Sequence, residues 1–220
     1  MSQPNRREQR ITARELTLAG GSGERRQGGS ILGRRRQLGR ITNQGASLLF
    51  RRTDETDDLV ALTALIRAAY APHALKGLRY WATHQSVEDT ARRLSRGVGF
   101  VGEVAGELVA TITLSKPDPE SKVPLLRDEY TWSFGQFAVA PGHKGKGYGR
   151  RIHDAALQHA VLEGCQVMAL HTAEPATELI EMYRSWGYAQ VGTCDWRPHT
   201  NFLSVLMTKP LAPQATSNAA

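Results

Sequence analysis

Cysteine is scarce in this sequence, with two residues, Cys165 and Cys194, among 220. At most one disulfide can form, too few to staple a small secreted scaffold. Long apolar runs are missing as well. A membrane helix needs about eighteen consecutive apolar residues, and the richest stretches, 59–70 and 152–162, are amphipathic and broken by charge. No membrane span is therefore expected, and with no secretory leader ahead of the cysteines the expected compartment is cytoplasmic. Metal-ligand spacing is absent too. None of the seven histidines stands in HExxH or HxxxH spacing, and Cys194 with His199 is a lone Cys-x4-His half, so no metal is expected.

Lysine is missing from one region. Residues 1–46 hold ten Arg and no Lys against three Glu, which accounts for the whole net charge of +7. Beyond them 18 basic and 18 acidic side chains cancel, so the body gives no reason to expect a nucleic-acid groove. Residues 1–46 also lack apolar periodicity and carry Gly20-Gly21-Ser22-Gly23 and Gly28-Gly29-Ser30, a composition expected to stay disordered. Weak, non-specific RNA binding through this Arg/Gly-rich tail is the one nucleic-acid contact left open. Residues 47–210 are expected to form the single folded domain, with 211–220 a flexible tail.

From Ser47 the texture changes. A short apolar run at 48–50 reads as a strand, and Leu59, Leu62, Leu65, Ile66 and Ala69 recur at helical spacing behind a cluster of acids. Ser86-Val87-Glu88-Asp89 resembles a capping box with Asp in place of Glu and opens a second helix. Two β-rich runs follow around Ala105-Gly106, predicting a hairpin. A proline-bearing loop at 116–127 leads to a strand over 130–139, stopped by Pro141. Then come a glycine loop, a helix over 150–163, a strand at 167–170, a helix over 176–186 ended by Gly187, and two closing strands at 188–194 and 202–207.

The glycine loop is the chemical landmark. A strand that ends in glycines and runs into a helix N-terminus is an anion site, because backbone N–H groups converge there and the helix dipole adds positive potential. Two familiar phosphate loops do not fit. Walker A requires Lys where Tyr148 stands, and the dinucleotide pattern requires Gly where Arg150 stands.

What fits is the order of the whole chain from 48 to 209 together with two motifs. Val139-Ala140-Pro141 precedes Lys144-Gly145-Lys146-Gly147-Tyr148-Gly149, and Tyr183-Arg184-Ser185-Trp186-Gly187-Tyr188 follows near the end. This resembles the GNAT superfamily of acyl-CoA-dependent N-acyltransferases, whose signatures are Val-x-Pro, Arg/Gln-x-x-Gly-x-Gly/Ala and Tyr-x-x-x-Gly-Phe. Two positions depart from it: Lys144 replaces the usual Arg or Gln, and Ala176 stands where many members carry Asn. The fold implied is α/β of the α+β type, a central, mostly antiparallel twisted sheet flanked by helices and opened into a V-shaped cofactor cleft.

By that resemblance, acetyl-CoA is the co-substrate. Its pyrophosphate would rest on Lys144, Gly145, Lys146, Gly147, Tyr148 and Gly149 with Arg150 adding charge, and its pantetheine arm would run beside Phe137, Ala138 and Val139. Tyr183 matches the family's general acid, which protonates the leaving thiol. The strand before the loop carries no carboxylate, so Ser133 and Gln136 are the candidates for ordering a water as base, with Glu103 more remote. The acceptor would be a small-molecule or peptide amine, met by loops at 76–85, 116–127 and 195–201, with Tyr80, Trp81, Trp132 and Trp196 as an aromatic wall. Packing in the core is the competing role for those aromatics. A homodimer through the sheet edge fits the family, and the rival to an enzyme is a non-catalytic CoA-binding or RNA-associated regulatory module that uses the basic tail.

Overall fold

A computed structural model of the chain describes residues 37–41 and 48–211. Eight strands form one sheet: β1 (Gln37–Ile41), β2 (Leu48–Arg52), β3 (Gly97–Val104), β4 (Glu107–Ser115), β5 (Thr131–Val139), β6 (Val167–Ala173), β7 (Ala189–Asp195) and β8 (Leu203–Pro210), in the spatial order β1-β2-β3-β4-β5-β6-β8-β7. Neighbours are antiparallel except β5 and β6. Helices α1 (Leu59–Leu75) and α2 (Val87–Ser95) cover one face of the sheet, and α3 (Tyr148–Leu162) and α4 (Thr177–Ser185) accompany the other. No helix among the described residues is long and apolar enough to cross a membrane.

The local signals are realised in detail. Asp58 caps α1 by accepting from the N–H groups of Val60 and Ala61 at 3.0 Å each. The capping box of α2 is complete, with Asp89 N–H donating to Ser86 Oγ at 3.1 Å and Ser86 N–H to Asp89 Oδ2 at 3.0 Å. Ala105 and Gly106 both adopt positive φ, +51° and +82°, the two-residue turn that matches strand twist in a hairpin. Both cysteines are free and buried. One expectation needs correction. Gln37–Ile41, part of the tail expected to be disordered, pairs antiparallel with β2, which its lack of apolar periodicity concealed. The rest of that expectation, and the flexible tail beyond 211, lie outside the described residues.

Two irregularities shape the sheet. Strands β5 and β6 pair only from Thr131↔Val167 to Ser133↔Ala169 and then part, opening a gap in mid-sheet. On its other side β5 slips register against β4 between Thr111 and Thr113, where Gln136 takes φ +47°. This bulge changes which face the chain presents. Phe134 and Phe137, three apart, would point to opposite faces of a regular strand, yet their rings meet at 5.8 Å.

A salt-bridged staple ties the opposite end together. Arg51 is 5% exposed and contacts Asp57 at 2.5 Å and Glu103 at 2.6 Å, joining β2, β3 and the turn before α1. Glu103 is thereby committed to structure and lines neither of the cavities described next, which removes it as a base.

Candidate active site

Two cavities flank the gap between β5 and β6. The first, about 460 Å³, lies along Phe137, Ala138 and Val139 and under the loop, with Lys144, Gly145, Gly147, Tyr148, Gly149 and Arg150 in its lining. The second, about 340 Å³, is lined by Tyr80, Trp81, Arg93, Gln136, His171 and Trp196 among others. Tyr70, Phe137, Leu179 and Tyr183 line both.

The loop is built for an anion. Gly145 and Gly147 hold φ of +77° and +78°, with Gly147 serving as the left-handed N-cap of α3. Gly149 has ordinary φ, but a Cβ there would sit 3.3 Å from both Phe137 Cζ and Val139 Cγ2, so the helix start lies close against β5. Among the described residues, none of the N–H groups from Gly145 to Arg150 donates to another protein atom. These free donors, at the positive end of a helix, fit a pyrophosphate.

The side-chain charges nearby are partly engaged. Lys144 Nζ donates to the Ala69 carbonyl of α1 at 3.1 Å, in the turn that Pro72 interrupts. Arg150 forms a double contact with Asp154, 2.8 Å at its shortest, and lies over the Trp186 ring at 5.3 Å. Lys146 is exposed and lines neither cavity. The loop thus offers its N–H groups, while the side-chain charges of Lys144 and Arg150 already have partners.

Tyr183 stands at the junction. It is 7% exposed, packs edge-on against Phe134, Trp186 and Tyr188, and its hydroxyl makes no hydrogen bond among the described residues. Burial first, then the neighbouring Tyr70, Tyr188 and Tyr80, hold its pKa well above the usual phenol range, so it stays protonated. Tyr188 is fixed from behind by its hydroxyl's 2.9 Å contact with Nε2 of the buried His153, whose Nδ1 meets Asp154 at 2.9 Å. Ala176, the uncapped start of α4, presents no polar side chain.

Other candidates separate clearly. Ser133 lies in the closed part of β5, paired with Ala169, and lines neither cavity. Gln136 does face the second cavity, but its Oε1 already accepts from Thr113 Oγ1 at 2.8 Å, leaving buried Nε2, a donor, without a partner. Trp132 is 4% exposed in the core with Lys116 Nζ 5.1 Å above its ring, so it is not part of an acceptor wall. Tyr80, Trp81 and Trp196 do line the second cavity, Tyr80 bonding through its hydroxyl to Thr172 Oγ1 at 3.0 Å and accepting from Ala173 N–H at 3.1 Å. The 116–127 loop instead packs its Val123, Leu125 and Leu126 against Cys194, Leu206 and Trp196.

Sequence reading missed two cavity residues. His171 is the lone titratable side chain on the mostly apolar strand β6, and that oddity was its signal. Although the ring is exposed toward the cavity, desolvation by the surrounding walls, then the charge of Arg93, lowers its pKa from the ordinary value. It is neutral at physiological pH. Arg93 reaches from α2 onto β5, where its Nη2 would lie 2.4 Å from a Cβ on Gly135. A glycine inside a strand often marks such a close approach.

A family model for the acetyltransferase (GNAT) family matches residues 61–188, more than half of the chain and the whole of both cavities' shared wall. The chain belongs to the GNAT acetyltransferase family. It is accordingly an acyltransferase, and its sheet, helices and V-shaped gap are those of the family's fold. The S-(2-succino)cysteine N-acetyltransferase of Bacillus subtilis (strain 168) is 29% identical over 140 residues, 63% of this chain and 82% of that protein. Among solved GNAT structures, the ribosomal-protein-S18-alanine N-acetyltransferase from Escherichia coli superposes with a TM-score of 0.59 at 16% identity, covering 79% of this chain and 99% of that one. A GNAT family acetyltransferase from Elizabethkingia anophelis, with acetyl-CoA bound, gives a TM-score of 0.53 at 14% identity over 74% of this chain and 98% of its own.

Proposed function

We propose that this GNAT member moves an acetyl group from acetyl-CoA to the primary amine of a small molecule or peptide by direct attack. The observation that carries the reading is the shared wall: Tyr183, an unbonded, protonated phenol within the Tyr183–Tyr188 motif, opens on both the loop cavity and the acceptor cavity, with the phenol of Tyr70 beside it in the same wall. The free N–H groups from Gly145 to Arg150 would hold the pyrophosphate, and the edge of β5 that β6 leaves open at Phe137, Ala138 and Val139 would pair with the amides of the pantetheine arm as an added strand does. When bound, acetyl-CoA supplies the acetyl carbon and leaves as the thiol.

The residues divide the proton work. Tyr183 gives its proton toward the sulfur side as the carbon–sulfur bond breaks and regains one from solvent. His171, uncharged and facing the acceptor cavity, is available to accept the proton that the amine loses as the carbon–nitrogen bond forms, directly or through a water. It replaces Ser133 in that role. An N–H of the bulged segment would face the thioester carbonyl and stabilise its developing negative charge.

The test is a calorimetric titration with acetyl-CoA followed by thiol release against a panel of amines, including S-(2-succino)cysteine, for which the Bacillus relative is named. Binding with release for one amine class supports the transferase and identifies its acceptor. Tight binding without release for any amine favours a regulatory CoA-binding module, and no binding overturns the assignment of residues 144–149.

A further inference from the structure

The acceptor cavity has a one-sided charge. Arg92, Arg93 and Arg96 of α2 and the following turn line it, and no Asp or Glu does so among the described residues. Such a wall repels a polyamine or any acceptor with several cationic amines, since each additional ammonium would sit among guanidinium groups without a counter-charge.

The three arginines are not equivalent. Arg92 is paired with Asp89 and lies over the Trp81 ring at 5.8 Å, and Arg96 is exposed at the rim. Arg93 goes deepest. Its guanidinium rests on Gly135 of β5, one residue before the bulge, where a Cβ would displace the tip of the arginine. Gln85, fully buried and anchored by its Nε2 donating to Thr90 Oγ1 at 2.7 Å, accepts from Arg93 Nη1 at 3.4 Å and so fixes the fork. Among the described residues Arg93 forms no ion pair, and burial lowers its pKa from the ordinary value against the opposing influence of Tyr70 and Asp89. Next to it, Gln136 Nε2 is a second buried donor without a partner. A guanidinium held by a neutral amide but by no carboxylate, with an unsatisfied amide donor lining the same cavity, suits an anionic oxygen pair.

We propose that the acceptor is a carboxylate-bearing amine, an amino acid, whose carboxylate is received by Arg93 next to Gly135. The inference rests on the transferase reading given above. A planar two-oxygen anion matches the guanidinium fork, and an amine one carbon from that carboxylate lies beside the bulge and the shared wall rather than out at the rim. Tyr80, Trp81 and Trp196 are left to receive the amino-acid side chain. Arg93 is in this view the residue that sets specificity.

The experiment is thiol release from acetyl-CoA with a panel of L-amino acids, each beside its own methyl ester and carboxamide, and with spermidine. Wild type, Arg93→Gln and Arg93→Lys are compared. The readout is the ratio of kcat/KM for acid over ester within one sample, so any loss of folded protein cancels. A hydrogen-bonded charge pair predicts a ratio on the order of 10- to 100-fold in wild type, lost in Arg93→Gln and partly restored in Arg93→Lys. Esters, amides or spermidine used as well as the acids, or an acid preference that survives in Arg93→Gln, overturns the acceptor class while leaving the transferase standing. Acetyl-CoA binding with no release from any amine overturns the transferase reading and the acceptor class together.

Discussion

Replacing Gly145 or Gly147 by alanine isolates the contribution of the loop's backbone. Both hold left-handed φ, +77° and +78°, and a Cβ built on either meets nothing within 4 Å. The cost of the methyl is therefore conformational rather than steric, about 1–2 kcal/mol for an L-residue in that region. Nothing packs against the added methyl to hold the backbone left-handed, so the free loop relaxes to negative φ and must return on binding. The cost is then expected in affinity rather than in melting temperature: acetyl-CoA should bind about 5- to 30-fold more weakly to each variant by calorimetry. Gly142→Ala is the control, because that position has open space and no left-handed φ. Gly147→Ala binding as tightly as Gly142→Ala would refute the claim that these N–H groups hold the ligand.

Tyr183→Phe should lower kcat about tenfold or more with the acetyl-CoA dissociation constant little changed, and an unaltered kcat would remove the phenol from the reaction. Arg51→Met leaves Asp57 and Glu103 together without their cation, their side chains only 10% and 18% exposed. A loss of about 3–5 kcal/mol in urea unfolding is expected, and a loss below about 1 kcal/mol would mean that water already compensates the pair. Burial, the largest influence on His153, lowers its pKa from 6.5, so the fold favours the neutral ring. The unfolded chain takes up that proton first as pH falls. The stabilisation is complete above about 6.5 and declines below it by up to about 1.4 kcal/mol per pH unit, so equal unfolding midpoints at pH 7 and pH 5 would contradict the account.

The features legible in the sequence were those whose chemistry is local. The loop from Lys144 to Gly149 and the Tyr183–Tyr188 motif each lie within a short span, and the structure sets both against one cleft. The Ala105-Gly106 turn and the Ser86 capping box are likewise short-range. What stayed hidden depends on long-range placement. Arg92 and Arg93 look like a solvated helix face until Gly135 brings β5 against the second of them. Trp132 and Trp196 are alike as residues, and only the sheet assigns one to the core and the other to the cavity. Gln136 stands out in the sequence as a candidate base, but the bulge that turns it and the Thr113 hydroxyl that occupies its Oε1 depend on the pairing with β4.

The wall common to the two cavities, Tyr70, Phe137, Leu179 and Tyr183, is a single layer of side chains, and neither Cys165 nor Cys194 lines either cavity. On the direct-attack reading proposed above, both substrates are present together and no covalent acyl-enzyme separates the half-reactions. Initial-velocity plots should intersect rather than run parallel. A single molecule that joins an acceptor to CoA through the sulfur would span the layer and draw on both binding energies at once, with the second half held at high effective concentration. Such a linked compound would be a tighter inhibitor than either half and a direct probe of how the two cavities communicate.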